Sequence, residues 1–152
     1  MEIVEYEKKY QPDFKRLNME WLEGYDLLET HDLEILDDPD GLVIDTGGCI
    51  FLIKENDAVI GTAGLWKEDA TTYELIKMAV DKQYQGRGLS RILMDLCLDK
   101  AKALNAKKVF LYSNSKLTTA LNLYKKYGFK HIPNLDSPFV TADVKMELLI
   151  AE

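Results

Sequence analysis

The sequence predicts an α/β protein: one mixed, mostly antiparallel sheet with helices packed on it. Two observations carry that prediction. Short apolar runs that alternate or read as buried strands recur along the chain, and between them lie stretches whose apolar residues return every three or four positions. The two kinds of pattern interleave with no repeat, low-complexity tract or linker, so residues 1–152 read as a single domain.

Ile3-Val4-Glu5-Tyr6 reads as a short first strand. Pro12 and Asp13 open a helix running to about Tyr25, with Phe14, Leu17, Trp21 and Leu22 on its apolar face. Residues 26–48 are acidic, contain His31 and Pro39 and end in Gly47-Gly48; a short helix over Leu33–Asp37 and then a loop are expected. Cys49–Ile53 and Ala58–Trp66 form a hairpin around Asn56-Asp57. Gly61 and Gly64 inside its second strand suggest a bulge or close backbone approach. A polar turn at Glu68-Asp69 leads to a long strand, Thr72–Asp81. Leu89, Ile92, Leu93, Leu96, Cys97, Ala101 and Leu104 then mark an amphipathic helix. Val109–Tyr112 is a buried strand, Lys116–Tyr127 a second helix stopped by Gly128, and Phe129–Ile132 a short extended piece. Strict alternation from Val140 to Ile150 predicts a last strand with one buried face.

Composition narrows the function. Apolar residues make up 47% of the 152 positions, which predicts a packed globular core. No apolar run approaches the ~20 residues of a membrane span, and the first residues lack the basic and apolar character of a signal peptide, so a cytoplasmic protein without a membrane partner is expected. Cys49 and Cys97 are isolated, which predicts neither a disulfide framework nor a metal knuckle. The net charge of −7 argues against nucleic-acid binding, which needs cations to neutralise phosphates. It suits a cationic partner such as an amine, and equally a charge kept for solubility.

The densest signal lies at Gln83-Tyr84-Gln85-Gly86-Arg87-Gly88, between a strand and a long helix. Glycines let main-chain N–H groups approach a phosphate, the next helix adds unpaired N–H donors and its positive dipole end, and Arg87 adds charge. A nucleotide P-loop would need Lys-Ser/Thr after the second glycine, where Leu89-Ser90 stands. A dinucleotide fingerprint would need a third glycine, where Arg91 stands, and an acid after the next strand, where Ser113-Asn114 follows Tyr112.

Here the sequence resembles the GNAT N-acetyltransferase superfamily. Gln83, Gly86 and Gly88 match its coenzyme A pyrophosphate loop. Ala120–Phe129, reading ALNLYKKYGF, matches its later helix, and Asn114 fits the Asn that often follows the preceding strand. The resemblance covers most of residues 49–150. The front end, Leu17–Trp21 with Glu29 and Asp32, looks like a bacterial branch of uncertain substrate. The resemblance implies a mostly antiparallel sheet of about seven strands with a splayed central pair. It also implies acetyl-CoA as co-substrate, bound by Met78, Ala79, Val80, Gln85, Gly86, Arg87, Gly88, Leu89, Ser90 and Asn114, and an amine acceptor. Members occur as monomers or homodimers.

Amine attack on a thioester needs a neutral amine, N–H donors for the oxyanion and a proton for the leaving thiolate. The resemblance points to main-chain N–H groups near Met78–Val80 for the oxyanion, beside a bulge that frees the backbone for pantetheine. It makes Tyr124 the candidate general acid and Glu74 the candidate base, acting through water or across the amine. Strand alternation puts Glu74 and Met78 on the same face, ~13 Å apart. His31, Glu29, Asp32 and Glu34 lack metal-ligand spacing and read as a solvated acidic loop or the wall of an amine pocket; no metal is expected. His131 reads as a surface residue. A coenzyme A-binding regulatory domain without transferase activity is the alternative, and an interaction module on the acidic front end a more distant one.

Overall fold

The computed structural model describes residues 1–150; Ala151 and Glu152, the end of the predicted domain, lie outside the described residues. Seven strands form one sheet: β1 (Glu2–Glu5), β2 (Cys49–Glu55), β3 (Ala58–Asp69), β4 (Thr72–Val80), β5 (Lys108–Ser113), β6 (Lys130–Ile132) and β7 (Val144–Leu149). Their spatial order is β1-β2-β3-β4-β5-β7-β6, and every neighbouring pair is antiparallel except β4 and β5. The predicted class, strand number and mixed pairing therefore hold. Helices α1 (Gln11–Gly24), α2 (Thr30–Asp37), α3 (Leu89–Ala103) and α4 (Thr118–Lys126) flank the sheet.

Each sheet face has its own core. Phe14 and Leu17 of α1 and Ile35 and Leu36 of α2 pack on Ile50, Leu52, Val59 and Ile76. On the other face Leu93, Met94, Cys97 and Ala101 of α3 pack with Ile53, Ala63, Leu65, Val109 and Leu111, and Leu121 and Tyr124 of α4 join them. Burial of these side chains is the main force holding helices to sheet, at roughly 1.5–3 kcal/mol for each fully buried Leu, Ile or Phe. The β2–β3 turn has positive φ at both Asn56 (51°) and Asp57 (65°), the left-handed backbone conformation of a type I′ hairpin turn, which Asn and Asp tolerate and whose twist matches that of the flanking strands.

Three expectations change. The acidic segment forms more structure than anticipated: α2 begins at Thr30, and one π turn covers Asp40–Ile44. Glu29 caps α2 reciprocally with Asp32, which is the local reason for the earlier start. The last strand begins at Val144 rather than Val140, because Val140 and Thr141 donate their N–H groups to the Glu29 carboxylate, 2.9 Å each, instead of to a strand. Val140 is 95% exposed, so its place in the alternation reports no burial.

The third change is in β4. Thr62 pairs with Ala79 but Gly64 pairs with Ile76, so β4 carries one extra residue. Lys77 takes φ 51° there, a conformation rare for a side-chain-bearing residue outside turns. The bulge reverses alternation beyond it. Leu75 and Val80, five residues apart, share the α3 face, while Ile76 and Ala79 share the α1 face. Met78 therefore packs on the α3 face, opposite to Glu74, and the expected common face is overturned.

Candidate active site

Strands β4 and β5 pair only through Thr72, Tyr73 and Glu74 with Lys108, Val109 and Phe110. Beyond Glu74 they diverge, which is the splayed central pair, and the inner backbone edges of both strands open into a wedge. A cavity of about 120 Å³ and a groove of about 540 Å³ occupy the two sides of this opening. They share Trp21, Met78, Leu117 and Tyr124 as common walls.

The groove runs along Met78–Val80, past Gln85, Gly86 and Gly88, to Leu89 and Ser90 at the start of α3, with α4 opposite. Gly86 and Gly88 adopt φ 85° and 77°, and a Cβ built on either would meet no protein atom within 4 Å. The glycines are thus required by the backbone turn, and the space in front of them stays clear. α3 starts with no side-chain cap on its first N–H groups, so they remain available to an anion. Three cations that the sequence reading passed over, Arg91, Lys116 and Lys126, line the same groove. Arg91 could have been found from its place in the first turn of α3; nothing local marks the two lysines.

Not every predicted ligand faces the groove. The Arg87 side chain turns away, 4.8 Å over the Tyr84 ring and 3.7 Å from Glu55. Gln83 forms part of a single 3₁₀ turn, Lys82–Tyr84, while Gln85 lines the groove and donates to the Val80 carbonyl at 3.3 Å. Asn114 lies on the cavity side. Its amide donates to the Thr141 carbonyl and accepts from Lys116 N–H, so both ends hold structure.

The bulge has a built support. Thr62, fully buried, donates its hydroxyl to the Lys77 carbonyl at 2.8 Å, and Asn18 of α1, also buried, donates to Thr62 Oγ1 at 3.2 Å. The Lys77 ammonium forms a buried ion pair with Asp32, the two side chains being 7% and 4% exposed. Asn18 and Thr62 were not foreseen; their pairing joins residues 44 positions apart and has no signature in a local pattern.

Glu74 and Tyr124 both line the cavity, and Tyr124 reaches the groove as well. Burial pushes the Glu74 carboxyl up to about 7, against partial relief from Lys77. Burial likewise raises Tyr124 to about 12, so its hydroxyl stays protonated at neutral pH. The acidic front end is not solvated throughout. Asp32 is buried, His31 sits between Trp66 and Phe139 at ring distances of 6.0 and 4.9 Å, and Glu29 clamps residues 140–141 beside the cavity.

The splayed central pair and the glycine loop ahead of α3 are the features that the resemblance to acetyl-CoA-dependent transferases implies. Residues 6–129 match the family model for the acetyltransferase (GNAT) family, and the chain belongs to that family. An N-acetyltransferase of Bacillus subtilis (strain 168), YvbK, is 30% identical over 115 residues, which cover 73% of each chain. The N-acetylaspartate synthetase of Rattus norvegicus is 30% identical over 87 residues, 57% of this chain. The chain spans about 29–39% of the length of the first curated relatives it matches. Among solved structures, a GNAT-family acetyltransferase from Staphylococcus aureus Mu50 superposes with a TM-score of 0.87 at 22% identity, over 96% of both chains. The PaiA N-acetyltransferase of Thermoplasma acidophilum, solved with coenzyme A, gives 0.75 at 14% identity over 98% of both.

Proposed function

We propose that the protein transfers acetyl from acetyl-CoA to a primary amine by direct attack in a ternary complex. The observation that carries this is the meeting of groove and cavity at Met78 and Tyr124, beside an open strand edge. The pyrophosphate lies against the N–H groups of Gly86–Ser90, with Arg91, Lys116 and Lys126 supplying charge. Pantetheine runs along Met78–Val80 as an added strand. Arg87 contributes its backbone rather than its guanidinium, and Asn114 holds the wall between cavity and helix instead of touching coenzyme A.

The amine enters the cavity as an ammonium and gives a proton to Glu74 through a file of water that bridges the distance from the thioester to the carboxylate. Its lone pair attacks the thioester carbon, and the oxyanion accepts from main-chain N–H at the bulge. The oxyanion re-forms the carbonyl as the C–S bond breaks, the thiolate takes the Tyr124 proton, and the surplus proton of the acylated nitrogen passes to the Tyr124 phenolate, leaving a neutral amide, free thiol and protonated Glu74. Two facts support direct transfer over an acetyl-enzyme. Cys49 and Cys97 line neither space, and burial pushes both thiols above their ordinary range, Cys49 to about 11. The family match and the N-acetyltransferase relatives support the enzyme reading over a regulatory domain. The test is release of free coenzyme A thiol from acetyl-CoA with a panel of primary amines. Tight coenzyme A binding with no turnover on any amine would favour the regulatory alternative.

A further inference from the structure

Resting on this transferase reading, we propose that the acceptor is a small primary amine with one positive charge and a compact apolar body, and that amino acids and polyamines are selected against. Among the described residues three charged side chains line the cavity: Asp32, Glu74 and Lys77. Asp32 and Lys77 neutralise each other in a buried ion pair. Neither is free to bind a substrate. Asp32 also accepts the Glu29 N–H at 2.9 Å, and the Lys77 ammonium lies 5.3 Å over the Phe139 ring. Drawing either one onto a ligand would strand its partner as an unpaired buried charge.

Glu74 is the remaining charge, and among the described residues no side chain hydrogen-bonds or ion-pairs with it. Lys77 of its own strand, Glu68 of β3, Lys145 of β7 and Asp136 of the β6–β7 connection act on it through space, and Lys145 is bonded to Asp136 at 2.8 Å. Trp21, Leu22, Ile35, Leu75 and Phe139 belong to a wall that is otherwise largely apolar. One carboxylate therefore matches one ammonium. A substrate carboxylate would face Glu74 or have to take Lys77 from Asp32; a second ammonium would have to take Asp32 from Lys77. At ~10–15 Å³ for each water-sized position, the cavity admits a body of roughly ten non-hydrogen atoms or fewer.

A matched series tests this: butylamine, 1,4-diaminobutane and 4-aminobutanoate, titrated calorimetrically into the protein saturated with coenzyme A. Butylamine should bind at least about tenfold more tightly than either analogue, the discrimination expected when a ligand leaves a buried charge unpaired. Equal or tighter binding of the diamine or the zwitterion would overturn the proposal. Asp32→Asn, which keeps an acceptor for Glu29 N–H, should move the preference toward 4-aminobutanoate, and Lys77→Met toward the diamine. The double variant, with no stranded charge, should return it to butylamine and guards against misreading a folding defect in either single variant. A ranking that does not move across these variants would also overturn it. Turnover is read separately: a protein that ranks the amines as expected and binds coenzyme A but releases no thiol would refute the transferase reading alone.

Discussion

Glu74 is where stability and proposed catalysis pull in opposite directions. Its folded-state pKa is raised from 4.5 to about 7 by burial. Between those values the native state binds more protons than the unfolded chain, so stability declines as pH rises through that window. The penalty at pH 8 is on the order of 3 kcal/mol. Glu74→Gln should therefore raise Tm at pH 8 while changing it little at pH 4. The same substitution should lower kcat by about 10²–10⁴-fold and remove the acidic limb near pH 7 from the kcat/KM profile. A variant that is more stable and equally active would free Glu74 from the mechanism. Tyr124 has no such conflict, because burial favours the protonated hydroxyl it is proposed to use. Tyr124→Phe should reduce kcat at least about tenfold and leave coenzyme A affinity within about twofold, measured by steady-state kinetics and calorimetry.

At the scale of elements, the glycine loop and the β4 bulge make distinct predictions. Gly86→Glu puts a carboxylate into the clear space of the groove and forces a side chain onto a φ of 85°, so coenzyme A binding should vanish by calorimetry. Thr62→Val keeps the shape of a buried β-branched side chain but removes the donor to the Lys77 carbonyl. It should cost about 1–3 kcal/mol of stability and weaken coenzyme A binding severalfold, because the bulge it holds presents Met78–Val80; unchanged affinity would detach Thr62 from the site. These two elements also explain what was legible in the sequence. Gly86 and Gly88 announce a left-handed turn because glycine is the residue for it, and the strand–loop–helix order around them follows from local periodicity. The bulge leaves no mark in local composition, since Lys77 is an ordinary strand residue and its supports come from α1, β3 and α2; the family resemblance implies a bulge near Met78–Val80, but alternation carried straight through it puts Met78 on the wrong face. The last strand was misjudged for a related reason: the alternation of Val140, Ala142 and Val144 is real, but Glu29, over a hundred positions away, takes the first part of it out of the sheet.

At the scale of the whole molecule, the two cores share the sheet and little else, and the wedge between β4 and β5 is an opening inside it. Three pairs hold those strands together at one end, while β3 and β7 secure their outer edges along their length. Among the described residues, backbone groups on the inner edge of β4 past Glu74 have no strand partner, and a ligand lying there would complete the sheet as an eighth, short strand. Coenzyme A should then act as a structural element. Any ligand that binds the native state alone stabilises it by RT ln(1 + [L]/Kd), about 2.7 kcal/mol at a hundredfold excess over Kd, so Tm should climb steadily with coenzyme A concentration. Hydrogen exchange locates the effect. Protection should increase for amides of Met78–Val80 and for the first turn of α3, both of which face the groove, and stay unchanged for the β1–β2 pair at the far edge. A rise in Tm with protection confined to the glycine loop would mean that phosphate contacts alone hold the ligand. Protection along β4 would mean that the wedge is closed by the substrate itself, with the thioester fixed beside Tyr124 by the same backbone the bulge presents.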